Sequence, residues 1–74
     1  MDLTHESLAL FLAFAKDADN WSGTPLVGGN VQVSSKTRGN LTQLKTKGLI
    51  RTFREENNLW LEFTEAGKQL AKAN

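Results

Sequence analysis

The chain has no cysteine, one histidine and one proline among its 74 residues. Without cysteine, neither a disulfide framework nor a thiolate metal site can staple the fold, so stability must come from packing. The one histidine, His5, has only Glu6 beside it as a titratable neighbour. No carboxylate pair, nucleophile with a base, or metal-ligand spacing accompanies it, so the sequence points away from an enzyme and implies no metal or other cofactor. No long hydrophobic run is present either. The stretch Leu8 to Ala15 is too short to cross a bilayer. Asp2 and Glu6 stand where a signal sequence would carry basic residues, and no cleavage-like segment follows. The expectation is a soluble, cytoplasmic protein with no membrane partner, nucleoid-associated if it binds DNA. Repeats and low-complexity segments are absent. Gly28-Gly29 lacks the lysine-serine/threonine pair that a phosphate loop needs at fixed spacing. The length fits one small domain, residues 1–74, with one modest core.

The most informative scarcity is of acid. Residues 20–54 hold Lys36, Arg38, Lys45, Lys47, Arg51 and Arg54 and no carboxylate. The flanks lean the other way, with Asp2, Glu6, Asp17 and Asp19 against Lys16, then Glu55, Glu56, Glu62 and Glu65 against Lys68 and Lys72. The overall charge of +1 hides this distribution. A basic block between acidic flanks is the electrostatic footprint of a polyanion site. The plainer alternative is a solvated polar face.

The basic block contains a helical pattern over residues 34–47. Thr37, Leu41 and Leu44 share one face at i, i+4 and i+7. Ser34 or Ser35 can cap its start, Gly48 fits a left-handed end, and Lys45 and Lys47 suit the last turn of the helix dipole. Opposite the leucine seam lie Ser35, Gly39, Thr42, Gln43 and Thr46. Lys36 and Lys47 flank that face on one side, Arg38 and Lys45 on the other. Uncharged hydrogen-bonding groups between two cationic shoulders match base edges between two phosphate walls of a major groove. Gly39 in mid-helix costs ~1 kcal/mol relative to alanine. Close approach to DNA or tight packing against another helix would each account for it.

On either side of this helix the chain alternates between clear and ambiguous signals. Thr4 can cap a helix to about Ala18, with Leu8, Phe11, Leu12, Ala15 and Ala18 as its core stripe. Leu3, Leu10 and Phe14 widen the apolar arc, which fits either a homodimer surface or cover for the hairpin after Gly48. Trp21 reads as an anchor for the following loop. Thr24-Pro25 looks like a helix start, yet Gly28-Gly29-Asn30 would stop it, and Val31-Gln32-Val33 alternates like a short strand that would pair with the hairpin after Gly48. After Gly48, Leu49 to Arg54 and Leu59 to Phe63 read as two strands around the turn Glu55-Glu56-Asn57-Asn58. Leu59, Leu61 and Phe63 should face the core, and Trp60 outward. Thr64 caps a last helix with Ala66, Leu70 and Ala73 inward.

The stretch Leu41-Thr42-Gln43-Leu44-Lys45-Thr46-Lys47-Gly48-Leu49-Ile50 resembles the segment of MarR-type regulators where the recognition helix ends and the wing begins. Phe63-Thr64-Glu65-Ala66-Gly67-Lys68-Gln69-Leu70 resembles their strand-to-helix junction after the wing. The resemblance covers roughly residues 33–73. It implies an α+β winged helix-turn-helix, with a three-helix core and a two- or three-stranded antiparallel wing sheet. It also implies a small transcriptional regulator binding double-stranded DNA through Ser35, Lys36, Arg38, Gly39, Thr42, Gln43, Thr46, Lys47, Arg51 and Arg54. Winged helices also serve as protein-interaction modules, which is the alternative function. The chain departs from the family where Gly28-Gly29 breaks the helix before the recognition helix, where long flanking dimerisation helices are missing, and where the wing tip is short and acidic.

Overall fold

The computed structural model describes residues 3–21, 24–29 and 31–74, and of Asn20 and Trp21 the backbone alone. The anchoring role expected of the Trp21 side chain falls outside the described residues. The elements run α1 (His5–Trp21), α2 (Arg38–Thr46), β1 (Ile50–Glu55), β2 (Asn58–Phe63) and α3 (Glu65–Ala73). The architecture is α+β, three helices with a two-stranded antiparallel sheet.

Thr4 caps α1 as the sequence predicts. Its Oγ1 accepts from the Ser7 N–H at 3.1 Å, satisfying one of the orphan donors of the first turn. The helix runs past Ala18 to Trp21. Its buried stripe is Ser7, Leu10, Phe11, Phe14, Asp17 and Ala18, at i, i+3, i+4, i+7, i+10 and i+11. The expected stripe was therefore rotated by about one position, and Leu8, Leu12 and Ala15 are only half-buried. Leu10 and Phe14, expected in part as a homodimer surface, are core residues of the chain itself, and Leu3 packs against the same cluster. The wide arc exists because α1 must meet α2, the sheet and the connecting loop together.

The core comprises Leu10, Phe11, Phe14, Leu41, Leu44, Leu49, Ile50 and Leu61. The hairpin register pairs Ile50 with Phe63, Thr52 with Leu61 and Phe53 with Trp60. Directly paired residues share a face, so Leu59, Leu61 and Phe63 lie on the inner face as predicted. Leu61 is fully buried, and Phe63 sets its ring edge-on to Phe11 at 5.5 Å. Trp60 lies on the outer face with Phe53 and Arg51, half-buried, its Nε1 donating to the Glu55 carbonyl at 3.4 Å. Glu56 and Asn57 make the turn, both at positive φ (52° and 67°). That is the conformation of a two-residue hairpin matched to the strand twist, for which Asn-Gly is the favoured pair.

Between α1 and α2 no helix occurs among the described residues. Instead Val27 N–H donates to the Leu59 carbonyl at 2.8 Å, and Leu61 N–H donates to the Pro25 carbonyl at 2.9 Å. Pro25 to Val27 thus borders β2 on the edge opposite β1. The expected pairing of Val31-Gln32-Val33 with the wing is corrected accordingly: Val31 bridges Val27 instead. Proline suits this edge because only its carbonyl is used.

Two junctions fix α2 and α3 to one another. Gly48 (φ 73°) ends α2, with Leu49 N–H on the Leu44 carbonyl (3.1 Å) and Gly48 N–H on the Lys45 carbonyl (3.0 Å). This is a Schellman ending, and it tucks Leu49 into the core. Thr64 then caps α3, accepting from Gly67 N–H at 3.1 Å while its hydroxyl donates to the Gly48 carbonyl at 2.6 Å. Its own N–H donates to the Leu49 carbonyl at 3.1 Å. Gly67 is buried against that carbonyl, and a Cβ there would collide with it. The close approach turns Gly67, Leu70 and Ala71 inward, and leaves Ala66 and Ala73, expected inside, exposed.

Candidate nucleic-acid interface

The helix is shorter than its sequence pattern. Ser34 to Thr37 forms a turn closed by hydroxyls: Ser34 N–H donates to Thr37 Oγ1 at 2.9 Å, and Thr37 N–H to the Ser34 carbonyl at 3.1 Å. Thr37 is the N-cap residue, although its side chain makes no cap hydrogen bond, so the caps expected at Ser34 or Ser35 are corrected. Local hydroxyl-to-backbone bonds of this kind compete with helix, which is why the first residues of the pattern do not join it.

Leu41 and Leu44 are buried and set the inward side of α2. Arg38, Gly39, Thr42, Lys45 and Thr46 are exposed on the helix, with Ser35 and Lys36 exposed in the preceding turn and Lys47 exposed at the C-cap. A Cβ at Gly39 would meet nothing within 4 Å, so tight packing within the chain does not account for this glycine. Thr42 Oγ1 donates to the Arg38 carbonyl at 3.1 Å, which leaves oxygen lone pairs and a methyl group for a ligand.

Gln43, expected at the centre of the exposed face, is half-buried on the side of α2 that meets α1. Its Oε1 accepts from Thr4 N–H at 3.3 Å and from Thr4 Oγ1 at 3.4 Å. One turn earlier, Asn40 Oδ1 accepts from the buried Ser7 Oγ at 3.3 Å. The amides of Asn40 and Gln43 therefore dock α2 onto the first turn of α1. Sequence reasoning missed this, because nothing local marks a contact 33 or 39 residues apart.

The two arginines of the hairpin separate. Arg51 lies on the outer sheet face and pairs with Glu62 at 3.2 Å, the arginine side chain 70% exposed and the glutamate 47%. Such a pair is worth little, about 0–1 kcal/mol. Arg54 is three residues along β1, hence on the other face, and is exposed. Together the site is a short basic helix with an open polar ridge, a cationic turn at its start and one exposed arginine on each face of β1.

None of the helices among the described residues is long and apolar enough to cross a membrane. Comparison of the chain with family models, with curated proteins and with solved structures finds no match.

Proposed function

We propose that this chain is a winged-helix module that binds double-stranded DNA and places α2 in the major groove, as a small transcriptional regulator would. The observation that carries the reading is the outward face of α2. It bears Arg38, Gly39, Thr42, Lys45 and Thr46, all exposed, inside a stretch with six cations and no acid. An α-helix with its side chains is about 10–12 Å across, which matches a major groove about 12 Å wide, and the nine residues of α2 present between two and three turns to it. The open space over Gly39 lets the backbone come close to base edges. The order helix, α2, hairpin, helix supports the winged-helix reading, with Pro25 to Val27 hydrogen-bonded along the free edge of β2 in the manner of a short third strand. Glu55 and Glu56 at the hairpin end argue against insertion of the tip between phosphates.

Phosphate contacts release counterions, so affinity should fall steeply with salt. Lys36→Ala and Arg38→Ala are each expected to weaken binding to all sequences alike and to lower the slope of log affinity against log salt by about 1. Fluorescence anisotropy on one duplex at several salt concentrations reads this directly. Unchanged slopes in both variants would remove α2 from the phosphates. A second reading, docking of a protein partner, rests on Phe53, which is 37% exposed on the outer face of the hairpin beside Trp60.

A further inference from the structure

The polarity of one amide suggests what the site reads, granted that α2 faces DNA. A glutamine in a major groove ordinarily pairs with adenine through both ends of its amide, Oε1 accepting from N6 and Nε2 donating to N7. Gln43 is not free to do so. Its Oε1 is taken by the Thr4 backbone N–H and hydroxyl. A backbone N–H only donates, so the oxygen end of the amide must face it, and the orientation is fixed by chemistry. No hydrogen bond among the described residues uses Gln43 Nε2. The side chain thus shows the outside two N–H donors and no acceptor, from the α1 margin of the open α2 face.

We infer that Gln43, held by Thr4, is a specificity residue that reads an acceptor-only base edge, with guanine as its partner. In the major groove guanine offers N7 and O6, both acceptors, where adenine offers one acceptor and one donor. The amide already has its rotamer fixed before DNA arrives, so little ordering cost remains at binding. Thr42, whose hydroxyl proton is engaged by the Arg38 carbonyl, offers the neighbouring acceptor.

The test begins with the free protein. In Gln43→Ala the amide resonance of Thr4 should move, and an unmoved resonance would overturn the anchor without any DNA. Duplexes are then selected from a random pool by the wild type, and each guanine in the preferred duplex is replaced in turn by 7-deazaguanine. One replacement should lower wild-type affinity about five- to tenfold, the worth of one net hydrogen bond, and should have no effect on Gln43→Ala. Gln43→Glu keeps the acceptor toward Thr4 but has no donor, and should lose the preference for that guanine. Dependence on an adenine N6 amino group, or equal selectivity of wild type and Gln43→Ala, would overturn this inference and leave DNA binding standing. Absence of any selected or bound duplex at low salt would overturn both.

Discussion

Gly67→Ala is expected to destabilise the fold by about 3 kcal/mol or more, an overpacking effect at the upper end of the usual range. Helix propensity alone predicts the opposite sign, a gain of about 1 kcal/mol for alanine over glycine inside a helix. Packing wins because the new methyl group would land on the Leu49 carbonyl oxygen, which is backbone and already accepts from Thr64 N–H. Relief requires α3 to move away from the α2–β1 junction, which would also strain the Thr64 hydroxyl bond to Gly48. A chain of 74 residues has a total stability of about 4–11 kcal/mol at 0.05–0.15 kcal/mol per residue, so this change removes a large part of it. Gly39→Ala is the control, since it adds the same methyl group to open space in α2. Urea unfolding followed by circular dichroism compares the two. A stabilised Gly67→Ala protein would show that α3 does not sit on that carbonyl.

Leu44→Ala should cost about 2–5 kcal/mol, the range for a fully buried leucine whose cavity cannot collapse. Leu44 is 0% exposed and shares a cluster with Phe11, Phe14, Leu49 and Leu61, drawn from α1, the α2–β1 junction and β2. It also supplies the carbonyl that holds Leu49 N–H in the Schellman ending. Loss of the side chain should therefore loosen the attachment of α2 to the whole body. Differential scanning calorimetry should show a melting point lowered well beyond that of a surface substitution such as Thr46→Ala. Near-equal melting points would mean that α2 is not anchored through this leucine.

Local chemistry was legible and long-range contact was not. Thr4 and Thr64 announce helix starts because a hydroxyl before an acidic first turn has one preferred use, and both make the bond. Gly48 ends α2 at positive φ, as a glycine after the last turn suggests. The alternation in Leu59 to Phe63 gave the inner face of β2. By contrast, the periodicity of α1 admits two stripes one position apart, and the choice depends on Ser7, which is buried because Asn40 of α2 receives its hydroxyl. Val31 to Val33 alternates well, yet Pro25 to Val27 takes the edge of β2, since pairing there depends on where the loop returns and not on propensity. Nothing in the sequence around Gly67 marks its role, because the carbonyl that requires it lies 18 residues earlier at Leu49. In the candidate site, the cations and Thr42 stand exposed as the pattern indicated. The orientation of Gln43 came only with the position of Thr4.

In the proposed function the exposed face of α2 meets duplex DNA. Titration of isotope-labelled protein with a short duplex, followed by backbone amide shifts at low and at moderate salt, tests it most directly. Shifts should concentrate at residues 35–47, with smaller ones at Arg51 and Arg54, and binding should weaken markedly at the higher salt. Shifts confined to the outer hairpin face around Phe53 and Trp60, or no shifts at low salt, would contradict it.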